Sequence, residues 1–156
     1  MLPMQLPKLA RFLHFVQRLR WRLARPTTVG VRLLAVKEGE VLLVKHTYLD
    51  GWYLPGGGVQ PGESLRVAIA REAAEEAGVE LQALRLFGVY SSFLEGKSDH
   101  IVVFVCEAFT WRKVRSREIE SVDCFALGEL PEGTSPGTRR RIAEYAAGEK
   151  AVSASW

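Results

Sequence analysis

Glu72, Glu75 and Glu76 stand at i, i+3 and i+4 in the stretch "SLRVAIAREAAEEAG". On a helix, that spacing gathers all three carboxylates on one side. Like charges so close are unfavourable unless something positive lies among them. Arg71 precedes Glu72 by one residue and Glu75 by four, so it can orient carboxylates without neutralising all three. Carboxylates, together with backbone carbonyls from a tight loop, are hard oxygen ligands suited to Mg²⁺ or Mn²⁺. Such ions bind phosphate oxygens in turn. Read in isolation, "EAAEE" marks a solvated acidic face more often than a metal site.

The elements around these residues must hold them. Pro61 and Gly62 predict a turn, and Ser64 an N-cap. Leu65, Ala68, Ile69, Ala73 and Ala77 then continue at helical spacing. Gly78 sits where a left-handed residue ends the helix, so a helix is expected over residues 64–77. Its alanine-rich inner face lets the backbone come close to a sheet. Three consecutive glycines, Gly56, Gly57 and Gly58, precede it.

Taken whole, residues 57–79 resemble the Nudix hydrolase signature: Gly, five residues, Glu, seven residues, Arg-Glu, an aliphatic, any residue, Glu-Glu, any residue, Gly, an aliphatic. Gly57, Glu63, Arg71, Glu72, Glu75, Glu76, Gly78 and Val79 fall on those places, while Ala73 replaces the usual larger aliphatic. The resemblance implies an α/β fold, a Nudix-type α/β/α sandwich with a mixed sheet. It implies metal-dependent hydrolysis of a nucleoside diphosphate linked to another group, with metal on Glu72, Glu75, Glu76 and the Gly56 carbonyl. Arg71 would hold the carboxylates and Glu63 would brace the loop. In this family the general base is a motif glutamate or one from a later loop. Glu75 is the expectation within the motif, and Glu118, ahead of Glu120, in "SREIESVDCF". Family features tied to ADP-ribose, dinucleoside polyphosphates and coenzyme A have no clear counterpart. No proline lies between Pro61 and Pro131, and Tyr90 comes too early. A nucleoside triphosphate or nucleoside diphosphate derivative is the expected substrate. An idle nucleotide-binding module is the alternative.

Further substrate contacts are expected from His46 at a strand end, and from Tyr48, Trp52 and Phe93, whose rings could stack on a base. For Trp52 or its neighbour Tyr53, core packing is the competing reading. Lys45 and Arg32 are candidate phosphate contacts, and His100 reads as structural.

The 156 residues suit one domain, and 47% hydrophobic with 25% charged residues is an ordinary globular balance. "TVGVRLLAV" and "EVLLVKH" predict a hairpin across "KEGE". "ALRLFGVYS", "DHIVVFVCEAF" and "SVDCFAL" read as further strands, with "SFLEGKS" a loop and "PGTRRRIAEYAAG" a closing helix. The domain division is a basic amphipathic helix in 1–26 and a hydrolase domain in 27–150.

No acidic residue precedes Glu38, whereas eight of the chain's 21 basic residues do, so the positive charge belongs to the N-terminus. Residues 8–25 carry an apolar stripe (Leu9, Phe12, Leu13, Val16, Leu19, Leu23) opposite Arg11, Arg18, Arg22 and Arg25. Docking on the domain is the plainer reading. A homodimer contact, an RNA grip (making the chain an RNA-end pyrophosphohydrolase), a lipid contact or a transit peptide are the alternatives. No apolar run is long enough to span a bilayer, and arginines interrupt any secretory pattern. Cys106 and Cys124 lack metal or redox spacing, so a cytoplasmic protein with reduced thiols is expected, one disulfide being the alternative.

Overall fold

Hairpin β1 (Thr27–Lys37) and β2 (Glu40–His46) turns on Glu38 and Gly39, both left-handed with φ of 54° and 80°. That two-residue turn matches the twist of the strands it joins. The structure, a computed structural model, describes Val16 and residues 27–94, 97–114 and 116–156. The basic segment 8–25, with its expected helix, dimer stripe and RNA-binding role, lies outside the described run apart from Val16.

Helix α1 (Leu65–Ala77) follows, then β3 (Val79–Ser92), β4 (Ser98–Trp111), β5 (Ile119–Ala126), α2 (Pro136–Ala146) and β6 (Val152–Ser155). The six strands form one mixed sheet in the order β5-β2-β1-β4-β3-β6. β1 lies parallel to β4 and β3 parallel to β6; the other neighbours are antiparallel.

Both faces of the sheet are covered, which explains the near-continuous apolar run of β1. Val31, Leu33 and Ala35 pack beneath Ala68, Ile69, Ala73 and Ala77 of α1. Leu34 and Val36 point the other way, into the core with Ile142 and Tyr145 of α2. This is the expected sandwich, with a helix on each side.

β1 and β2 pair only beside their turn, at Val36–Val41 and Lys37–Glu40, and the glycine loop fills the space farther along. Tyr53 exchanges backbone hydrogen bonds with Val44, both at 2.9 Å. The N–H groups of Val31 and Leu33 donate to Gly57 and Pro55, also at 2.9 Å. The loop is thus stitched into the sheet rather than lying over it.

Two features depart from the expected elements. β3 begins at Val79, directly after left-handed Gly78, rather than at Ala83, because Val79 to Leu81 already pair with β4. β6, in "VSAS", is only four residues long, too short for its alternation to mark a strand, and forms by pairing with Gly88–Ser91. Both cysteines are free thiols, Cys106 buried and Cys124 half-buried.

Candidate active site

The ends of α1 are set as its sequence predicts. Ser64 Oγ accepts from the Val67 N–H at 3.3 Å, and Gly78 closes the helix in the left-handed region. Between these ends Arg71 gathers the acidic groups. Its Nε and Nη2 donate to the two Glu63 oxygens at 2.8 and 2.9 Å, and Nη1 donates to Glu72 Oε1 at 2.7 Å. A longer contact of 3.4 Å reaches Glu75, and Nη2 also donates to the Gly58 carbonyl at 3.2 Å. Hydrogen bonds from Arg71, then one from the Gln60 N–H, pull the Glu63 carboxyl down to about 2.

The glycine loop meets the helix through two contacts that require glycine. Gly56, with φ of 141°, donates its N–H to Glu76 Oε2 at 2.8 Å. At Gly57 a Cβ would fall 2.5 Å from Glu72 Oε1, so the missing side chain is what admits that carboxylate.

The loop, α1 and the strand ends enclose a cleft of about 490 Å³. Glu72, Glu76 and Glu118 line it with Gly56 to Gly58, Arg32, His46 and Tyr48. Glu118 reaches it because Thr47 accommodates the start of β5, its N–H donating to the Glu118 carbonyl at 2.9 Å. Glu120, two residues on, faces elsewhere and pairs with Lys45 at 3.2 Å.

Burial governs the electrostatics of the cleft, with its charged neighbours adding to it. Burial pushes the Glu76 carboxyl up to about 7; Glu72 and Glu118 push the same way, against the Gly56 N–H and Arg32. Tyr48 is raised to about 12 by burial first, then by Glu118, Glu76 and Glu72, with Arg32 opposing. His46 is lowered to about 4 by burial and by Arg32.

Other expected site residues lie apart. Glu75 is the solvent-facing member of the trio, its side chain 62% exposed. Trp52 turns to the α2 side, its ring 4.8 Å from Phe125, and Phe93 is exposed outside the cleft lining. Conversely, Lys97 and Asp99 line the cleft without having been singled out. They pair at 3.2 Å, and Thr28 donates to Asp99 at 2.8 Å. Parallel pairing of β1 with β4 places Thr28 opposite Asp99, and no local spacing signals that pairing.

Comparison with known proteins agrees with this geometry. The NUDIX domain family matches residues 24–145. The chain belongs to the Nudix family. It is a Nudix hydrolase acting on phosphoanhydride bonds. The ADP-ribose pyrophosphatase of Methanocaldococcus jannaschii is 29% identical over 118 residues, 72% of this chain and 70% of that protein. Diphosphoinositol polyphosphate phosphohydrolase 2 of Rattus norvegicus is 49% identical over 57 residues, 36% of this chain and only 32% of the relative. The crystal structure of a MutT NUDIX hydrolase from Burkholderia pseudomallei matches with a TM-score of 0.68 and 30% identity, covering 75% of this chain and 96% of that one.

Nudix enzymes typically depend on a divalent cation. Among the described residues, no three His, Cys, Asp or Glu side chains converge tightly enough to hold a metal ion. The donor chemistry nonetheless fits one. Glu72, Glu76 and Glu118 bring carboxylate oxygens to one cleft, and the Glu76 carboxyl, raised chiefly by burial, is a group whose ionised form a bound cation would favour. No helix among the described residues is long and apolar enough to cross a membrane.

Proposed function

We propose that this Nudix hydrolase uses Mg²⁺ or Mn²⁺ to cleave a diphosphate bond in a nucleoside triphosphate or a nucleoside diphosphate derivative. The observation that carries the reading is the shared cleft. Glu72, Glu76 and Glu118 line it beside Arg32 and Lys97, so acidic ligands and phosphate-binding cations border one space. When bound, the cation neutralises the diphosphate and acidifies the attacking water.

Glu72, Glu75 and Glu76 would hold the cation together with the Gly56 carbonyl. Arg71 keeps Glu72 and Glu75 from swinging away. Glu118 accepts the proton of the attacking water, a role favoured over Glu120 by the Lys45 pair and over Glu75 by its place in the lining of the cleft, which Glu75 does not share. Arg32 and Lys97 take the non-reacting phosphate oxygens. Tyr48, together with the apolar sides of Val29, Leu49 and Ile101, receives the remainder of the substrate. Within this class a nucleoside diphosphate sugar comes first, because a relative aligned over most of this chain is named an ADP-ribose pyrophosphatase.

The test is product release from a panel of nucleoside triphosphates and nucleoside diphosphate sugars, with Mg²⁺ and with Mn²⁺. Wild type is compared with Glu76→Gln and Glu118→Gln. Turnover that needs metal and falls at least a hundredfold in each variant is expected, in line with the loss of a ligand or base. Undiminished turnover in both variants would sink the assignment.

A further inference from the structure

His46 is an anomaly in the wall of the cleft. Its side chain is only 8% exposed at the last position of β2, yet Nδ1 has no hydrogen-bond partner among the described residues. An orphaned buried nitrogen is destabilising, a cost that an apolar side chain of similar size would avoid. The ring is held between Tyr48 and Tyr53, with centroids 5.2 and 5.7 Å away. In that orientation Nδ1 lies 4.0 Å from Glu76 Oε1. The other Glu76 oxygen, Oε2, is already fixed by the Gly56 N–H at 2.8 Å. One oxygen of this carboxylate is therefore held by the loop backbone, and an unsatisfied imidazole nitrogen faces the other.

We infer that His46 is a positioning residue for Glu76, its Nδ1–H closing on Oε1 when the ionised carboxylate is engaged in the cleft. The inference rests on the metal-dependent reading above. An imidazole can carry its N–H on either ring nitrogen, and placing it on Nδ1 gives the orphaned atom an acceptor in the facing Oε1. The closure required is about 1 Å, the difference between the present separation and an ordinary hydrogen bond. Groups that orient a metal-holding side chain in this way commonly change metal affinity by about 10–100-fold when removed. His46 would thus act on the carboxylate, not on substrate.

Three variants separate these roles. His46→Asn keeps an N–H at the place of Nδ1, His46→Gln moves the amide outward, and His46→Leu fills the space with no donor. The readouts are Mn²⁺ affinity of the substrate-free protein, measured from the resonance of free Mn²⁺, together with kcat, KM and thermal melting. His46→Leu and His46→Gln should weaken Mn²⁺ binding about tenfold or more and lower kcat, with KM little changed. His46→Asn should recover most of both. Should His46→Leu fail to fold, the Asn and Gln pair still decides the question. Wild-type Mn²⁺ affinity in the Leu and Gln variants would overturn the inference. So would an Asn variant no better than Gln, or a rise in KM with metal affinity unchanged, which would place His46 on the substrate. Metal-independent hydrolysis by a wild type that binds no Mn²⁺ would instead overturn the metal reading, and this inference with it.

Discussion

Arg71 grips Glu63 with a two-pronged pair, Nε to Oε1 at 2.8 Å and Nη2 to Oε2 at 2.9 Å, tying the turn before α1 to the helix's second turn. The same guanidinium holds Glu72 at 2.7 Å. Lysine keeps the charge but loses the planar fork. Arg71→Lys should therefore lower kcat about 10–100-fold while the fold is retained, as removal of a ligand-orienting group does. Circular dichroism melts beside steady-state kinetics check this; unchanged kcat would show that charge alone suffices.

Gly56 and Gly57 are adjacent, yet alanine should act differently at each. At Gly56 a Cβ would lie 2.1 Å from the Val31 carbonyl oxygen, and φ is 141°. Backbone cannot step aside there, so Gly56→Ala should cost about 3 kcal/mol or more of stability. At Gly57 the clash is with the Glu72 carboxylate, the movable end of a side chain. Gly57→Ala should melt near the wild-type temperature and lose activity because Glu72 is displaced. Urea titration and turnover measured on both variants distinguish the two; similar profiles for both would contradict this assignment.

Metal-free stability should be nearly level between about pH 4.5 and 6.5 because two groups in the cleft oppose each other. The Glu76 carboxyl is raised to about 7 in the fold, so its contribution is complete at low pH and lost as pH rises toward 7. The His46 imidazole is lowered to about 4, so its contribution is complete above pH 6.5 and lost as pH falls toward 4. Glu76→Gln removes the first slope only. That variant should lose a few kcal/mol between pH 6.5 and 4, a fall the wild type does not show. Denaturant melts in chelator across this range provide the measurement, and parallel curves for the two proteins would refute it.

Arg141, on the opposite face, is buried to 1% exposure and holds Glu144 through Nε at 2.8 Å and Nη2 at 2.6 Å. Its guanidinium stacks 3.8 Å from the centre of the Tyr90 ring and also donates to the Ser155 carbonyl. Replacing it with methionine leaves Glu144 without its cation. Arg141→Met should cost about 3–5 kcal/mol and leave kcat of the folded fraction unchanged. Calorimetry and active-fraction kinetics would show both; a kcat loss at full folding would tie this cluster to the cleft.

Much of the site was legible because the features that build it are short-range. Ser64, Gly78 and the three glutamates lie on one helix, where a period of 3.6 residues fixes who neighbours whom. Glu38 and Gly39 likewise declare their turn locally. The aromatic residues were less legible. Neighbours on extended backbone alternate faces, so Trp52 joins Phe125 on one side while Tyr53 packs against the α1-side core on the other. "WYLP" carries no mark of which ring points where.

By itself, then, the sequence determined the acidic helix, its caps, the Arg71 brace and the Nudix family, all written within residues 57–79. Only the tertiary structure decided which later glutamate reaches the cleft, that Asp99 and Lys97 line it, that β6 closes the sheet, and that His46 faces Glu76. Those outcomes depend on strand register between segments far apart in the chain, such as Thr28 with Asp99 and His46 with Ile119. A slip of one residue there would turn each side chain to the opposite face, and no local periodicity records the choice.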